Sequence, residues 1–533
     1  MAGRVIESDS RERTAAAQAP PWVQHLARRT RRGLRSAQHT AHATADRLGP
    51  RAVRWWRDQG PFALCIATPI AFAGVLAVVV FGLGEYHGQA SWHGNGRVVW
   101  MSSAAVALVN LAGLLLYGSP EPANRRAMRR FRHVGWSRNR RLAVVYVSRG
   151  TNVRALQRSV DRTTRLLEQM NVRYHVFVVT DIDVSLTSEV PSTLHHHVVP
   201  ENYVTPNGAQ YKARALEYLL RHALDRLRKK GTWLLHLDEE SQLHPSAVAG
   251  IAKFVDNPRN ARRIGQGEIK YNSMRYGRNP LVTAIDAIRT GDDLGRFRLQ
   301  YKLLGAPLFG MHGSYILVPL HIESAIGFDL GGKGSITEDA YFALISSQRY
   351  EFGWVDGYVR EQSPFSVKEL VLQRRRWFNG LLLLSLDRTL RLRIRLPLIV
   401  AMACWAVSWL SPLMIIVSLV LTGTLPMMLF VMATVTQGSF AAIYVIGAYR
   451  NLRDLDPTPL GRASMLVLPV LLMPISAVIE AAAVVYALIR PVSTFDIIDK
   501  DQTAPTGLRR LHHRDRPGAA HRAQPAMRPR RIA

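Results

Sequence analysis

Five long apolar runs constrain the fold of this chain more than any other feature. They cover residues 62–84, 98–117, 397–423, 424–448 and 464–489. A helix needs ~20 consecutive apolar residues to cross a bilayer. The sequence therefore predicts α-helical transmembrane segments within 61–118 and 397–490, on either side of a middle region with the composition of a soluble domain.

Positive charge collects beside these runs. Lys and Arg number 69 against 39 Asp and Glu, a formal charge of +30, and arginine clusters precede the first run and follow the second. Basic flanks favour the cytosolic side of a membrane. We therefore expect a multi-pass integral protein of a bacterial plasma membrane with a cytosolic middle region. Membrane lipids, and no nucleic acid, are the expected partners, and 1–60 and 491–533 are expected to be basic and largely disordered.

The carboxyl-terminal runs leave the topology open. Three full spans would put the arginine-rich tail outside, against the positive-inside rule, so the number of spans is not fixed. Glu480 lies within the last run, where a carboxylate is either satisfied by a neighbouring helix or has a function. Cys65 and Cys404 both lie in apolar runs, which indicates neither a disulfide framework nor a cysteine metal site.

The middle region alternates between strand-like and helix-like patterns. Apolar strand runs at Leu142–Val147, His175–Val179 and Trp233–Leu237 are separated by segments such as Lys212–Leu227, whose apolar residues recur at helical spacing. Such alternation predicts an α/β domain, a parallel sheet with helices on both faces. Ligands of such sheets bind beyond the carboxyl ends of the strands, so the residues that follow each strand are the first candidates for a site.

Three acidic residues, Asp238, Glu239 and Glu240, follow the third of these strand runs. Because side chains alternate along an extended chain, Asp238 and Glu240 are expected to point the same way. Two such carboxylates suit Mg²⁺ or Mn²⁺, which could hold the diphosphate of a substrate. The alternative is a solvated acidic turn before the next helix.

A second acidic motif, Thr337-Glu338-Asp339, follows a glycine-rich segment and precedes a helical pattern. Asp339 is a candidate general base that takes a proton from an acceptor hydroxyl. The alternative is structural, with Thr337 capping the helix and the acids stabilising its first turn.

A third motif, Gln373-Arg-Arg-Arg376-Trp377, lies in 366–396, where basic and apolar residues interleave as in interfacial helices. Arg376 could bind a diphosphate through bidentate hydrogen bonds, and Trp377 could stack on a sugar. An ordinary membrane-surface helix would also explain the pattern.

In this order and spacing, the three motifs resemble those of the family-2 glycosyltransferases, over about Leu142–Trp377. The resemblance implies a GT-A-like, Rossmann-like mixed sheet in 141–365 and inverting transfer from a nucleotide sugar. It implies a metal held by Asp238 and Glu240, and an acceptor near the third motif. It assigns Asp339 and Glu338 to catalysis, Gln373 and Trp377 to acceptor binding, and to nucleotide-sugar binding Ser148, Arg149, Asp181, Lys212, Asp238 and Arg376. Asp183 also follows the second strand, so which aspartate meets the base stays open.

Further segments are similar to the egghead-type β-1,4-mannosyltransferases, among them Gly265–Tyr271, Gly291–Arg298, Gly313–Tyr315 and Ser363–Phe365. That branch implies GDP-mannose as donor and a lipid-linked or glycan acceptor. Two alternatives remain: a processive polysaccharide synthase that uses a UDP-sugar, and a non-catalytic membrane scaffold or transporter.

Overall fold

The computed structural model describes residues 50–83, 106–188, 190–227, 231–273, 277–407, 427–455 and 458–492. Of the segments 1–60 and 491–533 that are expected to be largely disordered, 1–49 and 493–533 lie outside these residues, whereas 50–60 are helical. Residues 98–105 and 408–426 of the apolar runs also lie outside the described residues. The chain divides into two compact units, residues 1–62 and 63–533. Every feature of the catalytic region described below lies in the second unit.

The strands are β1 (Arg141–Ser148), β2 (Tyr174–Thr180), β3 (Leu194–Val198), β4 (Thr232–Asp238), β5 (Gln242–Leu243), β6 (Arg263–Lys270), β7 (Ile316–Pro319) and β8 (Glu351–Arg360). The helices are α1 (Pro50–Leu83), α2 (Val106–Tyr117), α3 (Glu121–Val134), α4 (Val153–Gln169), α5 (Tyr211–His222), α6 (Pro245–Asp256), α7 (Pro280–Asp292), α8 (Leu320–Ile326), α9 (Gly331–Gly334), α10 (Glu338–Ser346), α11 (Val367–Leu386), α12 (Leu392–Val407), α13 (Met427–Leu452), α14 (Pro459–Leu471) and α15 (Met473–Ile489).

The strands form one sheet in the order β3-β2-β1-β4-β7-β6-β8-β5. The half from β3 to β4 is parallel, as the alternating pattern predicts. β7 is antiparallel to both β4 and β6, and β8 is parallel to β6. The sheet is therefore mixed and GT-A-like. The purely parallel sheet expected from periodicity alone is wrong in this half, because the short β7 returns between two strands of the opposite direction.

Both faces of the sheet are buried. In β1, Ala143 and Val145 pack with α5 and α8 on one face, whereas Leu142, Val144 and Tyr146 pack with α4 and α6 on the other. This explains why β1 is an almost continuous apolar run, since a strand covered on both sides has no polar face. Because β1, β2, β4 and β8 run in the same direction, their carboxyl ends lie at the same edge of the sheet.

Helices from the carboxyl-terminal part pack against this domain. α11 begins with a capping box, in which Ser366 and Glu369 exchange side-chain and backbone hydrogen bonds. α7 and α13 approach closely at two glycines, Gly291 and Gly447. A Cβ on Gly447 would lie 1.8 Å from the carbonyl oxygen of Ala287, and one on Gly291 would lie 2.1 Å from that of Ile443.

The described residues contain no single helix with both the length and the hydropathy that a membrane crossing requires. One pair of helices, Leu460–Leu471 and Met473–Ile489, meets both requirements together and is bent by 53°.

A buried ion network joins α13 to the sheet. The Arg450 guanidinium donates to both Glu268 oxygens, at 2.9 and 2.8 Å, and also contacts Glu121. Arg450 and Glu268 are fully buried. Removing one member of such a pair leaves a buried charge without its partner, which typically costs ~3–5 kcal/mol.

We therefore expect Glu268→Gln to lower the thermal unfolding midpoint of the purified protein clearly. Glu351→Gln, which removes an exposed partner of Arg263, is the matched control and should change stability by less than ~1 kcal/mol. Equal midpoints for the two variants would show that the network does not hold α13 in place.

Candidate active site

The side chains of the acidic motif at the end of β4, Asp238-Glu239-Glu240, make two different sets of contacts. Glu239 accepts hydrogen bonds from Ser148 and Asn152 and so holds the loop after β1. Asp238 accepts a 2.7 Å hydrogen bond from Lys212 Nζ. Asp238 and Glu240 both line the cavity that lies at this edge of the sheet.

Lys212, at the start of α5, connects the two acidic motifs. Besides Asp238, its Nζ lies 3.5 Å from Glu338 and donates to the carbonyl oxygen of Gly313 at 3.1 Å. Burial lowers the pKa of Lys212, but the attraction of Asp238 and Glu338 outweighs it and the pKa is raised. Lys212 is thus a permanent cation that keeps these carboxylates close together.

Asp339 lies in the first turn of α10 and faces the same group of charges. A Cβ placed on Gly313 would lie 3.1 Å from its Oδ2, 3.3 Å from Lys212 Nζ and 3.7 Å from Asp238 Oδ1, so a side chain here would crowd the cluster. Burial and the neighbouring Glu338 raise the pKa of Asp339 to about 7, with Lys212 opposing them. A carboxylate with such a pKa is suited to accept a proton at neutral pH.

The structural alternative for this motif fails in one respect. Thr337 is the residue before α10, but its side chain caps no backbone N–H, and its hydroxyl has no hydrogen-bond partner among the described residues. The alternative in which Thr337 caps this helix is therefore wrong.

The three arginines of the third motif point in three directions, as successive residues of a helix must. Arg374 is buried, donates to Asp286 and Glu480 at 2.8 Å each, and contacts the Gln373 side chain. Arg375 points outward and donates to the carbonyl oxygen of Arg490. Arg376 lies toward the acids: burial lowers its pKa, and Glu338, Asp339 and Asp238 oppose that effect.

Trp377 is held by two guanidinium groups. The Cζ atoms of Arg289 and Arg374 lie 4.6 and 4.7 Å from its ring centroid. Glu480 completes this arrangement, since it accepts from both Arg374 and Trp405 Nε1. The carboxylate within the last apolar run is therefore satisfied by its neighbours.

At the other end of the cavity, Arg214 donates to Asp181 at 2.9 Å. The side chain of Asp181 is 34% exposed and lines the cavity, whereas that of Asp183 is 90% exposed and does not. Of the two aspartates after β2, only Asp181 is positioned to meet a ligand there.

One cavity of about 960 Å³ contains all the predicted site residues, whose individual roles remain predictions. They are Ser148, Arg149, Asp181, Lys212, Asp238, Glu240, Glu338, Asp339, Gln373, Arg376 and Trp377. The cavity continues beyond them between helices, where its wall is formed by α2, α12, α13 and α15 and includes Met402, Trp405, Phe440 and Tyr444. One part of the cavity is therefore charged and the other largely apolar.

Several residues of this cavity are absent from the predicted site. Glu361 follows β8 at the same sheet edge as Asp238, so the rule about residues after strands would have found it. Its Oε1 accepts from Ser241 at 2.6 Å. Arg289 and His312 carry no comparable sequence signal, because their neighbours come from distant parts of the chain.

Asp238 and Glu240 are the residues that could hold a divalent cation. The described residues contain no group of three or more His, Cys, Asp or Glu side chains arranged around an ion. Mg²⁺ commonly takes only one or two carboxylates and completes its shell with water and substrate phosphates. The oxygen donors present fit such an ion.

The sequence is similar to those of known proteins. Residues 233–446 match the model of Glycosyl transferase family group 2. The β-1,4-mannosyltransferase egh of Drosophila melanogaster is 33% identical over 347 residues, which cover 63% of this chain and 74% of the relative. The β-1,4-mannosyltransferase bre-3 of Caenorhabditis elegans is 30% identical over 360 residues, covering 67% of this chain and 77% of the relative.

Among solved structures, mannosyl-3-phosphoglycerate synthase from Rubrobacter xylanophilus covers 48% of this chain and 75% of its own chain, with 15% identity and a TM-score of 0.27. The Drosophila relative, 33% identical over 74% of its own length, shows the family of this chain. This chain belongs to the family-2 glycosyltransferases and is a hexosyltransferase.

Proposed function

We propose that this enzyme transfers a mannosyl group from GDP-mannose to the sugar of a membrane-associated glycolipid, with formation of a β-glycosidic bond. The donor is inferred from the relatives, which are named β-1,4-mannosyltransferases. The acceptor is inferred from the cavity, whose charged part continues into an apolar part between helices. This continuity is the observation that carries the proposal, because a glycolipid has the same two parts.

In the proposed reaction the acceptor hydroxyl lies beside Asp339, which takes its proton. The hydroxyl oxygen then attacks the anomeric carbon from the face opposite the diphosphate. The new carbon–oxygen bond forms as the bond to the diphosphate breaks, and GDP leaves with the bonding electrons. The single displacement inverts the configuration, so an α-linked donor gives a β-linked product.

Negative charge grows on the departing diphosphate, and Arg376 is the cation proposed to stabilise it. Asp238 and Glu240 are the residues proposed to hold Mg²⁺ or Mn²⁺, which would add further positive charge at the diphosphate when bound. Lys212 keeps Asp238 and Glu338 close together and so preserves the shape of the site.

Trp377 is proposed to offer its ring to the acceptor sugar, held by Arg289 and Arg374. Gln373 is proposed to bind a sugar hydroxyl beside it. The predicted apolar runs and the interleaved basic residues of 366–396 would keep this part of the cavity at the membrane surface.

The experiment that tests this proposal compares donors. Purified enzyme is titrated calorimetrically with GDP-mannose, UDP-glucose and UDP-GlcNAc, and each labelled donor is then incubated with enzyme and membrane lipids. We expect GDP-mannose to bind most tightly and the label to enter an organic-solvent-soluble product that carries one added sugar. Preference for a UDP-sugar with a long polymeric product would instead indicate a processive synthase.

We expect the two aspartates after β2 to differ in donor binding. Asp181→Asn should weaken GDP binding by about 10- to 100-fold, because a hydrogen bond to a charged group is worth ~1.5–3 kcal/mol. Asp183→Asn should leave the affinity unchanged, since its side chain is 90% exposed and outside the cavity. The GDP affinity of both variants is measured by calorimetry. A larger loss of affinity in Asp183→Asn than in Asp181→Asn would show that Asp183, and not Asp181, meets the base.

A further inference from the structure

His312 and Asp293 form a buried pair at the wall of the cavity, outside the three motifs. His312 Nε2 lies 2.5 Å from Asp293 Oδ1, and the Asp293 side chain is fully buried. Asp293 Oδ2 accepts a 2.9 Å hydrogen bond from the backbone N–H of Ile269. A buried carboxylate requires such compensation, so the position of Asp293 is fixed by both partners.

The imidazole of His312 is held in one orientation. Its ring packs against Phe297, with centroids 4.2 Å apart. The side chain of Gln266 bonds both the backbone N–H and the carbonyl of His312, at 3.3 Å each. Fixed side chains of this kind lose little entropy when they bind a ligand, which is the usual property of a recognition site.

One nitrogen of this ring remains for a ligand. Nε2 faces Asp293, and no hydrogen bond to Nδ1 is made by any residue within the part of the chain that the structure describes. The side chain is 21% exposed and lines the cavity. With the proton of Nε2 facing Asp293, Nδ1 accepts a hydrogen bond from a ligand hydroxyl when the ring is neutral and donates one when the ring is cationic.

The position of His312 in the chain relates it to the reaction centre. The next residue, Gly313, is the one whose Cβ would come within 3.1 Å of Asp339. Asp292, Arg296 and Phe309 line the cavity on the same wall, and the backbone N–H of Arg296 donates to Asn110 of α2. His312 is thus adjacent in sequence to the glycine that faces the candidate base, and its ring packs against Phe297, which follows the residue bonded to α2.

We propose that His312, positioned by Asp293, binds a hydroxyl of the acceptor sugar and holds the reactive hydroxyl beside Asp339. The class of ligand is a hexoside with an apolar aglycone, because its sugar would contact His312 while its tail lies between the helices. This inference rests on the proposed function for the identity of the acceptor, but not on the identity of the donor sugar.

Charged neighbours make binding at His312 sensitive to pH. Burial lowers the pKa of His312, Asp293 and Asp292 raise it, and Arg289 lowers it, with a net increase above the usual value of 6.5. The imidazole is cationic below this pKa. Because a cationic imidazole makes the stronger hydrogen bond to a hydroxyl, binding of the hexoside should weaken as the pH rises through this pKa.

The test uses the full chain and octyl β-D-glucoside as the probe, below the concentration at which it forms micelles. Calorimetric titrations compare wild type, His312→Asn, Asp293→Asn and the control His321→Asn, which changes an exposed histidine on α8. We expect His312→Asn to weaken probe binding about 10-fold or more and to abolish its pH dependence. Asp293→Asn should weaken probe binding less, and His321→Asn should match the wild type in every titration.

GDP is titrated into the same four proteins and should bind equally to all of them. Unchanged probe affinity in His312→Asn, or no saturable binding of the probe to the wild type, would overturn the inference. Parallel losses of GDP and probe affinity would also overturn it, because they indicate a general structural role. Failure of the mannosyl donor in the separate donor comparison would refute the proposed donor while leaving the hexoside site in place.

Discussion

Asp339→Asn is expected to reduce the rate of sugar transfer by about 10²–10⁴-fold, the usual contribution of a general base. Burial and the neighbouring Glu338 raise the pKa of Asp339, a buried carboxylate of the site, to about 7. Asn has the same shape but cannot take the proton of the acceptor hydroxyl. The measurement is the initial rate of labelled sugar transfer from GDP-mannose at saturating donor.

The same experiment has an internal control. GDP affinity should be unchanged in Asp339→Asn, since the side chain acts on the acceptor rather than on the nucleotide. An Asp339→Asn variant that binds GDP normally and still transfers sugar at the wild-type rate would exclude Asp339 as the base.

The pH profile gives a second view of Asp339. A base is active when deprotonated, so the wild-type rate should fall as the pH drops below about 7. Lys212 lowers the pKa of Asp339, so Lys212→Met should raise that pKa and move the acidic limb of the profile to higher pH. A limb that stays in place would show that another group controls it.

Arg376→Ala is expected to reduce the rate of sugar transfer by about 10²–10³-fold, the usual loss when a preorganised donor that stabilises developing charge is removed. Arg376 is directed toward Glu338, Asp339 and Asp238, at the point where the diphosphate is proposed to lie. The effect should be mainly on kcat, because negative charge on the diphosphate increases as the glycosidic bond breaks.

Arg375→Ala is the matched control, since it removes the same side chain from the neighbouring position. Arg375 points outward and contacts the backbone of Arg490. Its loss should change kcat by less than ~3-fold. Similar losses in both variants would indicate that the helix as a whole, rather than the Arg376 charge, supports catalysis.

Local patterns in the sequence were sufficient for much of the fold. The apolar run Leu142–Val147 predicted β1, and the acids after Leu237 predicted a site at the end of β4. Both predictions depend on short-range rules: a strand buried on both faces is apolar throughout, and polar groups there must lie at its ends. These rules do not apply to segments whose partners are distant in sequence. The alternating pattern therefore does not predict the antiparallel direction of β7.

The third motif shows most clearly which features the sequence predicts and which depend on tertiary packing. Its composition predicted a basic helix, and its resemblance to a family selected Arg376 and Trp377. Only packing decides that Arg374 is buried between Asp286 and Glu480 and that Arg375 points outward. Adjacent helical residues differ by about a third of a turn, so the side that faces the cavity depends on where the helix lies.

The order and spacing of the three motifs, a feature of the sequence by itself, determined the family of this protein and its class of reaction, hexosyl transfer. The tertiary structure decided which carboxylate lies beside Lys212, which aspartate after β2 reaches the cavity, and that His312 meets Asp293. Chemistry follows from the types of residue that a chain contains. Proximity follows from the folded sheet and helices, because residues far apart in sequence meet only where these elements bring them together.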